Sequence, residues 1–327
     1  MGYSLWRNLV DQSYFIPKPT LTGDNLPDQK GRVLIVTGGY AGCGRELCKI
    51  LYQRNGTVYV AGRSPEKARK AIDSIKQEVP KSEGRLEFLK VDFADLSSIK
   101  PAVEEFTSKE SSLHCLTNNA GVMMPPEGSK TEQGYELQMG TNCLGPYLFT
   151  KLLLPTLQRT AANSPTASVR VTWAASFGTE IMSPKPGGVI LEEQGAPKIL
   201  GKRVDYGQTK VGNVFLADQF AKRYGKDGIV SVSWNPGNLR TELQRHEAAW
   251  LVRVITALML HPARFGAYTE LFAGWSPEVT PDKNGSYVIP WGRFGVQRPD
   301  VQEERDGANS VSDKFWEWCE KETSKWA

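Results

Sequence analysis

The 327-residue chain has little of the chemistry from which metal centres and disulfide scaffolds are made. Its five cysteines, Cys43, Cys48, Cys115, Cys143 and Cys319, form an odd set without a C-x-x-C pair, and its three histidines, His114, His246 and His261, are scattered. Neither a zinc site nor a disulfide framework is expected, and no metal ligand is assigned. An excess of charge of one sign is missing too. Forty Lys and Arg against 36 Asp and Glu leave +4, which implies no nucleic-acid partner. No apolar run reaches the roughly 20 residues that span a bilayer. The most apolar stretch, 248–260, carries Arg253 and reads as a buried or interfacial helix, so peripheral membrane contact is not favoured. Residues 1–32 lack the basic start and unbroken apolar run of a secretory signal, because Arg7, Asp11 and Gln12 interrupt them, and a cytoplasmic, reducing location is expected. Internal repeats and low-complexity linkers are absent. Residues 31–327 therefore read as one domain behind an N-terminal extension, 1–30.

What is present is an alternation. Apolar, β-branched runs of strand length at 33–37, 57–61, 86–91, 113–118, 169–175 and 229–235 are separated by stretches of helical period at 42–54, 65–79, 97–108, 142–160 and 206–224. Strands that are apolar throughout are buried on both faces, which describes a parallel sheet covered by helices. The fold expected is α/β, a Rossmann-type doubly wound parallel sheet in a three-layer α/β/α arrangement. In such a sheet ligands bind beyond the carboxyl ends of the strands, where strand order reverses.

The first strand runs into Gly38, Gly39, Tyr40, Ala41, Gly42, Cys43 and Gly44, and a helical pattern follows. A glycine-rich turn there lets backbone N–H groups approach a pyrophosphate, and the positive end of the helix favours the anion. The spacing, G-x-x-x-G-x-G, departs from the commoner dinucleotide fingerprint, and a tight turn with no ligand would look similar. The second strand ends at Ala61-Gly62-Arg63-Ser64, where an acidic residue would accept the ribose 2′-OH of NAD. Arg63 offers a guanidinium to a 2′-phosphate instead, so NADP(H) is the expected cofactor; the plain alternative is a solvated arginine opening a helix. Asp92 and Asn119 follow the third and fourth strands, where a cofactor would lie, although Asp and Asn in such places are also common caps and turn formers.

In the second half, Tyr206 and Lys210 are four apart on a helix and so share a face, and Ser176 follows the strand 169–175. A hydride arriving at a carbonyl carbon leaves charge on oxygen that must be protonated. A phenol can do this if a neighbouring ammonium lowers its pKa, and a hydroxyl can orient the substrate oxygen. Tyr206, Lys210 and Ser176 fit those roles, although Y-x-x-x-K alone is a frequent chance pattern on a solvated helix.

Together these motifs resemble the single-domain short-chain dehydrogenases/reductases over roughly 31–290, and within them the retinol-dehydrogenase-like and fungal-metabolite reductase branch, which Gln133 to Gln138 and Phe315-Trp316-Glu317-Trp318 bring to mind. The resemblance implies that Thr37-Gly38-x-x-x-Gly42-x-Gly44 is the cofactor turn, with Tyr40 and Cys43 inside it, and that Asn119-Ala120-Gly121 is a sheet-stabilising motif. It implies catalytic roles for Ser176, Tyr206, Lys210 and Asn142, the last helping to position a water-linked proton path to Lys210. Lys210 and Tyr206 would also hold the cofactor. Pro236-Gly237-Asn238-Leu239-Arg240-Thr241 resembles the segment closing over the nicotinamide, which adds Leu239 and Thr241 to the cofactor contacts. Two departures stand out: Ala174-Ala175-Ser176 replaces paired serines, and an insertion at 179–202 lengthens the interval to Tyr206.

The apolar segment 241–275, with Trp250 and Leu258, is expected to form a substrate lid; packing as an ordinary core or dimer helix is the alternative, which leaves a homodimer open. The expected activity is hydride transfer between NADP(H) and a carbonyl or alcohol carbon of a fairly apolar small molecule. Competing functions are an NADP(H)-binding scaffold guiding cyclisation or another non-redox step, and a catalytically silent redox-sensing module. Intact Ser176, Tyr206 and Lys210 argue against the last.

Overall fold

The computed structural model describes residues 4–239 and 260–327. Eight strands form one sheet in the order β3-β2-β1-β4-β5-β6-β7-β8, parallel through β7, with β8 antiparallel at the edge. They are β1 (Val33–Thr37), β2 (Thr57–Gly62), β3 (Arg85–Lys90), β4 (Cys115–Asn118), β5 (Val169–Ala174), β6 (Ile229–Trp234), β7 (Tyr287–Ile289) and β8 (Arg293–Gly295). Strand order reverses between β1 and β4, the switch point beyond whose strand ends a doubly wound sheet offers a ligand crevice.

Successive residues of a strand face opposite sides, and the core divides accordingly. Val33 and Ile35 of β1 join one apolar layer with Phe106, Leu153, Phe215 and Phe315. Leu34 and Val36 join the other with Leu47, Leu51, Ala68 and Leu271. The first layer is closed by α4 (Ile99–Lys109), α5 (Gly145–Ala162), α6 (Lys202–Tyr224) and α9 (Val311–Thr323), and the second by α2 (Gly42–Gln53), α3 (Pro65–Glu78) and α7 (Ala263–Trp275). Local signals set several ends. Ser64 Oγ accepts from the Lys67 N–H ahead of Pro65 at the start of α3, and Ser310 with Asp313 forms a capping box on α9. A further short helix, α8 (Pro299–Asp306), precedes α9.

Two expectations change. Strand β3 is exposed at Arg85 and Lys90, because it is the sheet's edge and has no neighbour beyond it. The segment 263–275, expected as the second half of a lid, is instead the core helix α7. Ala267, Leu271, Phe272 and Ala273 are buried, and Gly266 lets α2 approach: a Cβ there would sit 2.7 Å from Cys43 Sγ. Buried Arg170 of β5 ties the end of this helix to the sheet by donating to the carbonyls of Ala167, Ala273, Ser276 and Val279. Residues 241–259 of the expected lid, with Thr241, Trp250 and Leu258, lie outside the described residues.

Finally, the N-terminal extension does not stand apart from the domain. Its helix α1 (Leu5–Ser13) buries Gln12 and Ser13 against the segment after β6. Among the described residues no helix is long and apolar enough to cross a membrane, and no cluster of His, Cys, Asp and Glu could hold a metal ion.

Candidate active site

The cofactor half is built mainly of backbone. Gly38 and Gly42 have φ of +65° and +53°, a region that costs glycine nothing and other residues strain. Gly44 and Gly38 both lie against Asn119, and a Cβ on Gly44 would stand 2.5 Å from Asn119 Nδ2 and 2.9 Å from the Gly38 carbonyl. Asn119 in turn donates from Nδ2 to the Thr37 carbonyl at 2.7 Å, while Thr37 Oγ1 accepts from the N–H groups of Asn119 and Ala120. This network joins the ends of β1 and β4, so the Asn119 side chain braces the sheet. Helix α2 starts at Gly42 behind Ala41, which has no side-chain cap, and its first turn carries no acidic residue. Its first N–H donors are thus left for an anion, which is the fit a pyrophosphate requires.

Tyr40 reaches across to Gly62, where its ring would collide with any Cβ, so it lies at the end of β2 beside Arg63. Arg63 is exposed, and among the described residues no ion pair or hydrogen bond engages its guanidinium. Asp92 spends Oδ1 on the Ala94 N–H at 3.0 Å, turning the chain after β3. The Cys43 side chain points away from the turn toward Gly266 and Glu270, and burial pushes its thiol pKa well up, so what it offers a cofactor is its backbone N–H.

The reacting half is built of side chains, with Tyr206 and Lys210 buried and Ser176 half-buried. Ser176 follows β5 and its Oγ accepts from the Gly178 N–H at 3.0 Å. Tyr206, on the first turns of α6, is 4% exposed; a Cβ on Gly178 would lie 3.3 Å from its ring and 3.5 Å from Ser176 Oγ, so tyrosine and serine face one small volume. Lys210 is 5% exposed, with Nζ donating to the Ala174 carbonyl at 2.9 Å and 5.5 Å from the Tyr206 ring centre. Asn213, one turn further, donates to the same carbonyl at 2.8 Å.

The electrostatics differ from expectation. Burial raises the Tyr206 pKa to about 12, only partly offset by Ser176, and Lys210 does not figure among the groups that lower it. Burial also lowers Lys210 to about 8, so the same surroundings that disfavour the phenolate disfavour the ammonium.

Asn142 lies in a π-helical turn, Gly140–Leu144, and is fully buried. Its Oδ1 accepts from the Val122 N–H, and its Nδ2 donates to the Val122 carbonyl and to Thr209 Oγ1. The side chain is therefore spent on the loop after β4 and makes no bond to Lys210. A Cβ on Gly121 would be 3.1 Å from Asn142 Oδ1 and 3.8 Å from Lys210 Nζ, so glycine keeps that region open. Leu239 is buried and pairs with His261 in an isolated bridge; Thr241 lies outside the described residues.

The insertion after Ser176 has a defined course. A one-turn helix, Gly178–Ile181, leads into turns at Gly187 and Gly188, and a bridge joins Leu191 to Pro197. Gln208 of α6 accepts from the Ile190 N–H and donates to the Lys198 carbonyl, holding both ends of that hairpin. Buried Arg298 donates to the carbonyls of Thr179, Glu180, Ser183 and Pro184 and pairs with Asp300. Gly207 lets 182–183 pass directly over α6, since a Cβ there would overlap the Ser183 backbone. Arg298, Asn213 and Gln208 carry no motif of their own; the one local signal was the glycine after Tyr206. Gln133 and Gln138 prove to be loop braces, bonded to Leu96 and to Met124 and Lys202. Phe315 and Trp316 are core.

Against known proteins, residues 32–169 match the family described as short chain dehydrogenase. A short-chain dehydrogenase/reductase of Phomopsis amygdali is 44% identical over 317 residues, covering 94% of each chain. The chain therefore belongs to the short-chain dehydrogenase/reductase family of nicotinamide-dependent oxidoreductases. The same fold recurs in an NADPH-bound carbonyl reductase from chicken fatty liver (TM-score 0.63, 18% identity, 84% of this chain and 97% of that one). It also recurs in a 3-ketoacyl-(acyl-carrier-protein) reductase from Brucella melitensis complexed with NADH (TM-score 0.61, 20% identity, 80% and 96%).

Proposed function

We propose that the protein is an NADP(H)-dependent oxidoreductase that interconverts a carbonyl and an alcohol in a fairly apolar small molecule. The observation carrying this is the convergence of Ser176, Tyr206 and Lys210 on one dry volume, at the sheet edge that also carries the glycine turn. A bound nicotinamide supplies or accepts the hydride. Ser176 orients the substrate oxygen by a hydrogen bond. Tyr206 donates the proton in reduction and takes it in oxidation. Lys210, fixed on the Ala174 carbonyl and 5.5 Å from the Tyr206 ring centre, would also hold the cofactor ribose.

Preference for the 2′-phosphate rests on Arg63, free and exposed where a carboxylate would mark an NAD enzyme. Both cofactor types occur on this fold, since the two neighbours described above hold NADPH and NADH. An apolar substrate agrees with Ile181, an exposed apolar residue in the short helix that follows Ser176. The test is oxidation of NADPH and of NADH, followed with a panel of ketones and aldehydes of increasing apolar size. Turnover with NADPH on apolar carbonyls is expected. Tight NADPH binding with no hydride transfer to any of them would reject the redox assignment.

A further inference from the structure

The segment after β6 is held from the far end of the chain. Asn235, at the carboxyl end of that strand, accepts the Gly237 N–H on Oδ1 at 3.0 Å and so fixes the turn in which Gly237 has φ +85°. Its other amide atom, Nδ2, donates to Gln12 Oε1 of α1 at 2.8 Å, and Asn235 and Gln12 are 1% and 2% exposed. Three residues on, Asn238 Nδ2 donates to Ser13 Oγ at 3.0 Å. Arg293 of β8 donates to the Asp11 carbonyl at 2.7 Å and to the Pro290 carbonyl, and Pro290 stands 3.1 Å from where a Gly237 Cβ would be. The turn at 235–238 is thus gripped between α1 on one side and the end of β7 on the other.

The energetics make this grip more than a passing contact. A buried amide hydrogen left without a partner carries the full cost of its desolvation. With α1 removed or its acceptors deleted, Asn235 Nδ2 either keeps that penalty or turns away. Turning away surrenders the Gly237 bond as well, because both atoms belong to one planar amide. The conformation of the turn is therefore coupled to residues more than two hundred positions away.

We propose that α1 is a clamp on the 235–238 turn, with Gln12 and Ser13 as positioning residues for the nicotinamide end of the cofactor. The inference rests on the proposed function, since β6 pairs with β5 and the turn after it therefore lies beside Ser176, where the nicotinamide end would react. It assigns to α1 a part in the site, although Gln12 and Ser13 act through the turn and not on cofactor or substrate directly.

The experiment uses the full-length chain with Gln12→Met and Ser13→Ala combined, and two probes that share the adenine end. NADPH reaches the turn; 2′,5′-ADP, which carries the 2′-phosphate and lacks the nicotinamide, does not. NADPH affinity is expected to fall about tenfold, the scale of one buried hydrogen bond. Affinity for 2′,5′-ADP is expected to stay the same, which also reports that the variant is folded. Equal loss for both probes, or no loss for NADPH, would overturn the clamp. If the wild-type chain binds 2′,5′-ADP and neither NADPH nor NADH, it is the cofactor reading that fails, and the clamp with it.

Discussion

Between β1 and β3 the site is made of backbone and empty space: Gly38, Gly42 and Gly44 have no side chains, Ala41 offers no cap, and Arg63 is exposed at the rim. Between β5 and β6 it is made of side chains, and the groups that hold them come from far along the chain, Arg298 onto the turn after Ser176 and Gln12 onto Asn235. Under the proposed function the first half would bind by leaving donors unsatisfied. The second would act through Ser176, Tyr206 and Lys210, the phenol and the amine being buried enough to leave their ordinary pKa values. Apart from Lys210 and the 235–238 turn, where the two halves meet, they should fail separately, and substitution can test that.

The largest separation is expected at Tyr206. Tyr206→Phe removes the proton donor and almost no volume, so turnover should fall by about 10² to 10⁴, the usual weight of general acid catalysis. NADPH binding, measured by fluorescence titration, should be nearly unchanged. A variant that reduces carbonyls at close to the normal rate would remove Tyr206 from the chemistry, and a collapse of cofactor binding would show that the halves are coupled.

Next come two changes in the other half. Arg63→Ala should reduce NADPH affinity by roughly 1.5–3 kcal/mol, about tenfold or more, and leave NADH affinity alone. An unchanged NADPH-to-NADH ratio would reduce Arg63 to a solvated side chain. Gly44→Ala forces a Cβ against Asn119 Nδ2 and the Gly38 carbonyl, an overpacking that typically costs about 1–3 kcal/mol. It should lower the melting temperature and cofactor affinity together, because the atom it meets belongs to the brace between β1 and β4. Normal binding of either cofactor by this variant would mean the turn can open without loss.

The same contrast explains how much could be read from the sequence. The cofactor half was legible because its determinants are local: β-branched runs, a glycine turn at a strand end, and Arg63 where a carboxylate is usual. Six of the eight strands carried that signal, whereas β7 and β8 are three residues each, too short for any periodicity to register. Tyr206, Lys210 and Ser176 were legible as residues, but their supports were not. Nothing in Gln12 or Arg298 distinguishes a buried brace from a solvated side chain until the fold brings Asn235 or the carbonyls of 179–184 beside it. Helix α7 misled for a related reason: an apolar segment following a loop looks alike whether it roofs a pocket or packs on α2, and only the close approach at Gly266 decides.

The smallest expected effect lies in the pH dependence of stability, and it concerns Lys210 alone. Burial holds its pKa near 8 in the folded chain, against about 10.5 for a lysine in water. Between those values the unfolded chain carries a proton at this site that the folded chain has released, so the unfolded state binds more protons and the stability contributed by Lys210 rises with pH. Below pH 8 the penalty of keeping a buried ammonium is present in full. Tyr206 works in the opposite sense at higher pH: its folded pKa near 12 lies above the ordinary 10, so over that interval the folded state holds the extra proton and stability falls. Lys210→Met removes the first effect and keeps the second. Its stability relative to wild type, from urea midpoints without cofactor, should therefore be most favourable near pH 7 and decline by on the order of 1 kcal/mol toward pH 10. A difference that stays flat over that window would mean that water reaches Lys210, and the contrast between an open cofactor half and a dry reacting half would be lost at its central residue.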